Sequence, residues 1–176
     1  MNIEVEIRSF ISKEQYENLI NYFTKNAELI NKDYQETFYF DSDEDLRIQK
    51  NDFFSKIWLK KGKLHDDHRE EIEIKSKKED FEVFEKLFLS LGYNVDIKWF
   101  RNRHTFKWED ILVMLDYTKG YGYIIEFEKM STEENKETTL NLLKEKFQTL
   151  NLPISPKEDF NKKYIHYKEN WKTLTL

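Results

Sequence analysis

Glu4-Val5-Glu6-Ile7-Arg8 is the stretch whose reading decides the fold. Its three charged residues stand two apart, and Ile3, Val5 and Ile7 fill the gaps. Side chains on a β-strand alternate between faces. One face of this strand is therefore apolar, and the other carries two carboxylates and a guanidinium. A solvated edge strand can be written this way, but the pattern returns twice. In His68 to Lys75, the residues Arg69, Glu71, Glu73 and Lys75 share one face, with Ile72 and Ile74 on the other. In Ile124 to Glu128, Glu126 and Glu128 alternate with Ile125 and Phe127. Three strands with acid-x-acid point to a shared polar interior rather than to three solvated faces.

The chain has 176 residues, enough for one domain with a substantial core, and is read as a single domain over 1–176. Charged residues make up 36% of it, yet aromatics reach 16%, which separates it from disordered chains. The net charge of −5 argues against a duplex nucleic acid partner. With no cysteine, disulfides and thiolate metal sites are excluded. No stretch is apolar and long enough to span a membrane, and the first residues do not read as a secretory signal. A cytoplasmic protein without a membrane partner is the expectation.

Read in order, Asn2 to Ile11 is a strand. Ser12 is placed as an N-cap with Gln15 at capping-box spacing, and the helix runs to about Lys25 with Tyr16, Leu19, Ile20 and Phe23 as its apolar stripe. Strands are expected over 28–41, 46–49, 55–60, 69–75, 95–108, 111–116 and 123–130. Turns fall at 42–45, 50–52, 109–110 and 117–122. His65 and His68 sit in a polar loop and read as solvated. Helices are expected over 78–91, ended by Gly92, over 133–150, and over 157–171 with Phe160, Tyr164 and Tyr167 facing inward. Eight strands joined mostly by short turns predict an α+β fold: an eight-stranded antiparallel sheet closed into a β-barrel, with helices packed outside.

If the charged faces point inward, the interior holds Glu4, Glu6, Glu71, Glu73, Glu126 and Glu128. It also holds Arg8, Arg47, Lys56, Lys60, Arg69, Arg101 and Arg103. Buried charges need partners. A mixed lining suits a mixed ligand, an anion carrying divalent cations. Arginine and lysine match phosphate oxygens, and carboxylates are hard ligands for Mg²⁺ or Mn²⁺. A triphosphate with Mg²⁺ or Mn²⁺ is the ligand inferred. No Gly-rich P-loop is present, so the cradle is made of side chains.

These residues resemble the CYTH family, the triphosphate tunnel metalloenzymes. The family's Glu-x-Glu-x-Lys reads Glu4-Val-Glu6-Ile-Arg8 here. Phe38-Tyr39-Phe40-Asp41, Leu46-Arg47-Ile48, Trp58-Leu59-Lys60 and Arg69-x-Glu71-x-Glu73 resemble its following motifs. Arg101-x-Arg103 with Phe106, Leu115-Asp116, Gly120-Tyr-Gly122 and Glu126-Phe-Glu128 continue the match in order. The resemblance implies a triphosphate tunnel with bound Mg²⁺ or Mn²⁺. It implies Glu4, Glu6, Glu126 and Glu128 as metal ligands, joined by Glu71, Glu73 and Asp116. It implies Arg8, Arg47, Lys60, Arg69, Arg101 and Arg103 as phosphate-binding, beside Lys56 from the strand pattern.

Arg8 departs from the signature lysine and stays protonated at any working pH. Water activation then falls to metal and a carboxylate such as Glu6 or Glu73, so Glu6, Glu73 and Arg8 are the candidate catalytic residues. The leading reading is a triphosphatase acting on inorganic triphosphate, ATP or another nucleoside or thiamine triphosphate. The alternative is a class IV-type adenylyl cyclase making cyclic AMP and pyrophosphate, and a further one is a non-catalytic nucleotide or polyphosphate binder. A monomer or homodimer is expected.

Overall fold

The computed structural model describes residues 2–61 and 71–176. Its strands are β1 (Asn2–Ile11), β2 (Glu28–Phe40), β3 (Asp45–Lys50), β4 (Phe54–Lys60), β5 (Glu71–Lys77), β6 (Val95–Trp108), β7 (Ile111–Thr118) and β8 (Gly122–Thr132). Its helices are α1 (Lys13–Asn26), α2 (Phe81–Ser90), α3 (Lys136–Thr149) and α4 (Lys157–Leu174). The fold is α+β, with an eight-stranded sheet in the order β1-β8-β7-β6-β2-β3-β4-β5. The pairings of β1 with β8, β7 with β8, β2 with β3, β3 with β4 and β4 with β5 are all antiparallel.

The expected closure into a barrel is not found. β1 and β5 stand at the two ends of the hydrogen-bonded order, so among the described residues the sheet is open. Period-two alternation assigns a side chain to a face but names no neighbour, so a barrel stave and an edge strand read alike.

Local signals explain the element ends. The Ser12 side chain accepts from the Gln15 backbone N–H at 3.1 Å, and the Gln15 side chain accepts from Ser12 N–H at 2.8 Å, closing the capping box. Gly92, at φ +95°, ends α2. Its N–H donates to the Leu89 carbonyl and that of Tyr93 to the Phe88 carbonyl, which is a Schellman cap. Helix α4 runs three residues past Trp171, so the last helix is longer than its apolar stripe alone implies.

The chain divides into two compact units, Met1–Lys32 with Asn102–Tyr167 and Asp33–Arg101 with Lys168–Leu176. The first unit buries Ile7 and Ile11 of β1 with Phe106, Val113, Leu115, Ile125 and Phe127, against Leu19 and Phe23 of α1 and Leu143 and Phe147 of α3. These strand residues lie on the apolar side of the alternation. Each buried phenylalanine of this kind contributes about 3–5 kcal/mol when measured as Phe→Ala. The second unit packs Phe38, Phe40, Leu46 and Ile48 against Phe81, Phe84 and Phe88. In both units the helix-covered face is apolar, which leaves the charged face for other work. Helix α4 departs from the expected outer layer. Within the first unit its Phe160 stacks on Phe10 at 4.1 Å, and Phe10 shares the Arg8 face of β1. No helix is long and apolar enough to cross a membrane among the described residues.

Candidate functional site

In the first unit, β8 is flanked by β1 and β7, and the register aligns their charges. Glu6 lies opposite Glu128, and Arg8 opposite Glu126. Directly opposed side chains on antiparallel strands have Cβ atoms about 4.5–5.5 Å apart, so the Glu6–Glu128 pairing is repulsive when both are ionised. On the other side, Met114 lies opposite Glu126 and Leu112 opposite Glu128. Buried Met114 gives Glu126 an apolar neighbour.

These surroundings shift the acids. Burial pushes the Glu126 carboxyl up to about 7; Arg103 and Arg8 pull it down, while Glu6 and Asp116 push it further up. Burial also raises Glu128, helped by Glu4 and Glu6 and opposed by Arg103. Asp116 is differently placed. Its two oxygens accept from Arg103 Nε at 2.8 Å and from Nη2 at 2.6 Å, a bidentate pair within the buried part of the unit. Burial disfavours the Arg103 charge, but Asp116 outweighs it and holds the guanidinium firmly protonated. The Arg8 guanidinium lies 4.5 Å above the Phe160 ring, and Lys163 Nζ lies 4.4 Å above Phe10. Gly122 makes room here: a Cβ on it would stand 3.4 Å from Lys163 Nζ, and its φ is +112°.

In the second unit the charged face crosses β2 to β5 in rows. Tyr39, Arg47, Trp58 and Glu73 form one row; Thr37, Gln49, Lys56 and Lys75 form the next. Trp58 is the centre. Arg47 lies 4.9 Å from its ring centroid, Lys56 4.1 Å and Lys60 4.3 Å. Arg47 also stands 4.4 Å over Tyr39. Its Nε donates to Asp45 at 2.6 Å, and its Nη2 donates to the other Asp45 oxygen. Lys56 donates to Glu73 at 2.7 Å, and Lys75 lies 3.3 Å from the same carboxylate. Burial acts to raise Glu73, but these two lysines outweigh it and hold the carboxyl below its usual range. Arg101 Nε donates to Gln35 at 2.9 Å.

The first unit therefore brings together Glu4, Glu6, Arg8, Arg103, Asp116, Glu126 and Glu128, and the second unit brings together Arg47, Lys56, Lys60 and Glu73. Arg101 is turned to Gln35. Arg69, His65, His68 and the Glu71 side chain lie outside the described residues. Sequence reasoning passed over Trp58 and Asp45 as functional residues. Both were within its reach. Trp58 sits between Lys56 and Lys60, and Asp45 two before Arg47, each sharing a face at period two.

The donor chemistry of the first unit fits a hard divalent cation: close carboxylates, two of which hold their protons too tightly. Among the described residues, no three acidic or histidine side chains form a ready ligand cluster.

The CYTH domain family matches residues 2–164. A Methanocaldococcus jannaschii protein, MJ0240, whose name provisionally assigns it adenylate cyclase activity, is 31% identical over 175 residues, covering 93% of this chain and 97% of its own. The solved structure of the Pyrococcus horikoshii protein PH1012 superposes with a TM-score of 0.69 at 22% identity, over 88% of this chain and 95% of that one. The Hippeastrum protein HpAC1, a proposed adenylyl cyclase described as having a dominant triphosphatase activity, superposes with a TM-score of 0.64 at 20% identity, over 88% of this chain and 90% of that one. The two structural likenesses bear on the fold. With the family match running over nearly the whole length, this chain belongs to the CYTH domain family.

Proposed function

We propose that this chain is a divalent-cation-dependent enzyme that hydrolyses the terminal phosphoanhydride of a triphosphate. The observation that carries it is the Glu6–Glu128 opposition beside Arg8 and Glu126. Two facing carboxylates invite a cation, and the arginine beside them invites the anion that comes with it. Glu6 and Glu128, with Glu4, would hold Mg²⁺ or Mn²⁺. Bound there, the cation would neutralise charge on phosphoryl oxygens and lower the pKa of a nucleophile.

The chain's own groups do the rest. Arg8 holds a phosphoryl oxygen, and Phe160 beneath it limits how the guanidinium can turn. Asp116 orients Arg103 through two parallel hydrogen bonds. Glu126 lies beside Arg8 and its carboxyl is raised by burial, whereas Glu73 is held ionised between two lysines, so Glu126 is the proposed proton acceptor for the attacking water. In the hydrolysis, water attacks the γ-phosphorus, its proton passes to Glu126, and the β–γ bridging oxygen leaves with the diphosphate. On the charged face of the second unit, Lys56, Lys60 and Arg47 are proposed as phosphate-binding, held in place by Trp58.

A second reading is cyclisation of ATP, favoured by the name of the 31% identical relative. The name of HpAC1 and the activity described for it differ in the same way, which favours hydrolysis. Product analysis by ³¹P NMR separates the two, with inorganic triphosphate and ATP offered in Mg²⁺ and in Mn²⁺. Orthophosphate from inorganic triphosphate is the expected result. Pyrophosphate with cyclic AMP from ATP would establish the cyclase instead, and tight binding without product would leave a binder.

A further inference from the structure

Past Arg8, the charged face of the first unit continues for a further row. Phe10 of β1 lies opposite Ile124 of β8, which lies opposite Asp116 of β7. Same-face residues on a strand stand about 6.5 Å apart, so this row lies one such step beyond Arg8. Phe160 of α4 stacks on Phe10 with ring centroids 4.1 Å apart and planes tilted by 24°. That spacing admits no cation between the rings. Arg8, 4.5 Å over Phe160, and Lys163, 4.4 Å over Phe10, therefore take the two outer faces of the stacked pair.

Lys163 differs from its neighbour on α4. Lys162 pairs with Glu158 at 2.8 Å on the exposed side of the helix. Lys163 is half-buried, and its ammonium meets Phe10 and, at 5.4 Å, Tyr121, but no carboxylate among the described residues. Burial pushes its pKa down, with no acid to pull it back. Gly122 leaves room for it, since a Cβ there would stand 3.4 Å from Nζ. A ring face attracts an ammonium but does not accept its three N–H donors as an oxygen does. A half-buried ammonium placed in this way suits an anionic oxygen.

Along β1, Glu6 and Phe10 stand on opposite sides of Arg8. With the divalent cation at Glu6 and Glu128 and the γ-phosphoryl at Arg8, the rest of a triphosphate has the Phe10 row ahead of it. Ring edges carry the positive side of the aromatic quadrupole, so the edges of the stacked pair suit an anion lying alongside. At its far end the anion meets Lys163. That far phosphoryl is where the candidate substrates differ. In inorganic triphosphate it is a free terminal group with one more ionisable oxygen, whereas in ATP it is esterified to ribose.

We propose that Lys163 is a specificity-determining residue that binds the free far phosphoryl of inorganic triphosphate and so favours it over nucleoside triphosphates. This rests on the triphosphate reading of the site and adds the substrate class.

Titration calorimetry tests it on the full chain, with inorganic triphosphate and ATP as ligands and divalent cations withheld so that neither turns over. Lys163→Met keeps an unbranched stem over Phe10 and removes the charge. It should weaken inorganic triphosphate at least tenfold and ATP less than threefold. Lys163→Arg should keep both affinities within threefold of the natural chain. Urea midpoints should agree among the three proteins, which a packing role alone would also give, so the ligand difference is the deciding readout. Equal losses for the two ligands, or no loss in Lys163→Met, would overturn the proposal. Orthophosphate release in Mg²⁺ tests the hydrolase separately. A chain that binds as expected but releases nothing keeps the Lys163 contact and loses the hydrolase. A chain that hydrolyses inorganic triphosphate with KM unchanged in Lys163→Met keeps the hydrolase and loses the contact. Binding of neither ligand by the natural chain would overturn both.

Discussion

The charged face of β1, β8 and β7 and the charged face of β3, β4 and β5 come from the same alternation, yet they settle their charge differently. In the second unit Arg47 and Lys56 are met locally by carboxylates. Arg47 has Asp45 two residues away on its own strand, and Lys56 has Glu73 on the neighbouring strand. Trp58 and Tyr39 supply a π-surface that needs no counter-charge. In the first unit acids meet acids. Glu6 faces Glu128, and Glu126 is held in a buried position near Asp116 and Glu6. Asp116, by contrast, is engaged by a cation, through Arg103. The lesson is that a row of charges is stabilised in one case and left under strain in the other. The strained face is the one where an added cation changes most.

The largest effect should come from breaking that strained face. Glu6→Gln removes one of the opposed carboxylates and should abolish metal-dependent turnover, measured as orthophosphate release. Undiminished activity in this variant would sink the cation assignment. The protein alone should also bind Mg²⁺ weakly and take it up far more tightly when inorganic triphosphate is present, measured by titration calorimetry. Equal affinity with and without triphosphate would argue for a preformed ligand cage instead.

Next in size is the buried Arg103–Asp116 pair of the first unit. Asp116→Asn leaves the Arg103 charge buried without its counter-ion and should cost about 3–5 kcal/mol in denaturant unfolding. A loss under ~1 kcal/mol would mean that Arg103 finds another partner.

A smaller, pH-dependent effect follows from Glu126. Its folded pKa is raised to about 7, above the ordinary 4.5, so the folded state holds a proton that the unfolded chain has already released. Stability of the metal-free protein should therefore be highest near or below pH 4.5 with respect to this group, and should fall as pH climbs through about 7. Glu126→Gln should flatten that slope in denaturant midpoints measured from pH 5 to 8. A slope unchanged by the substitution would place the strain elsewhere.

The smallest effect should be in the second unit. Trp58 Nε1 is buried with no hydrogen-bond partner among the described residues. Trp58→Phe keeps a ring beneath Arg47, Lys56 and Lys60 and removes that orphan donor, so stability should change by less than ~1 kcal/mol in either direction. Trp58→Leu removes the ring as well and should raise the KM for triphosphate severalfold. If the two variants behave alike, the cations do not depend on the ring.

Much of this was legible beforehand. Eight strands, the Ser12 capping box, the Gly92 cap and the apolar stripe of α1 all rest on contacts between residues a few positions apart. The charged faces were legible for the same reason: Glu4, Glu6 and Arg8 alternate with Ile3, Val5 and Ile7, and the structure puts Ile7 in the core. Some of the rest was not. Asp116 read as one more acid among seven, and its engagement by Arg103 depends on β6 and β7 meeting in one register. Glu73 read as a candidate base, whereas Lys56 and Lys75 hold it ionised. Barrel closure failed because nothing in alternation says where a sheet ends.

By itself, then, the sequence determined which residues share a face, where helices begin and end, and the family to which those motifs belong. These are short-range matters, set by the period of the backbone and by side chains that reach their own turn. Only the tertiary structure decided which acid opposes which, that Glu126 sits where burial raises it, that Trp58 gathers three cations, and that β5 remains an edge. Those depend on strand order and register. Both are chosen by the burial of whole faces against one another, over separations that no local pattern records.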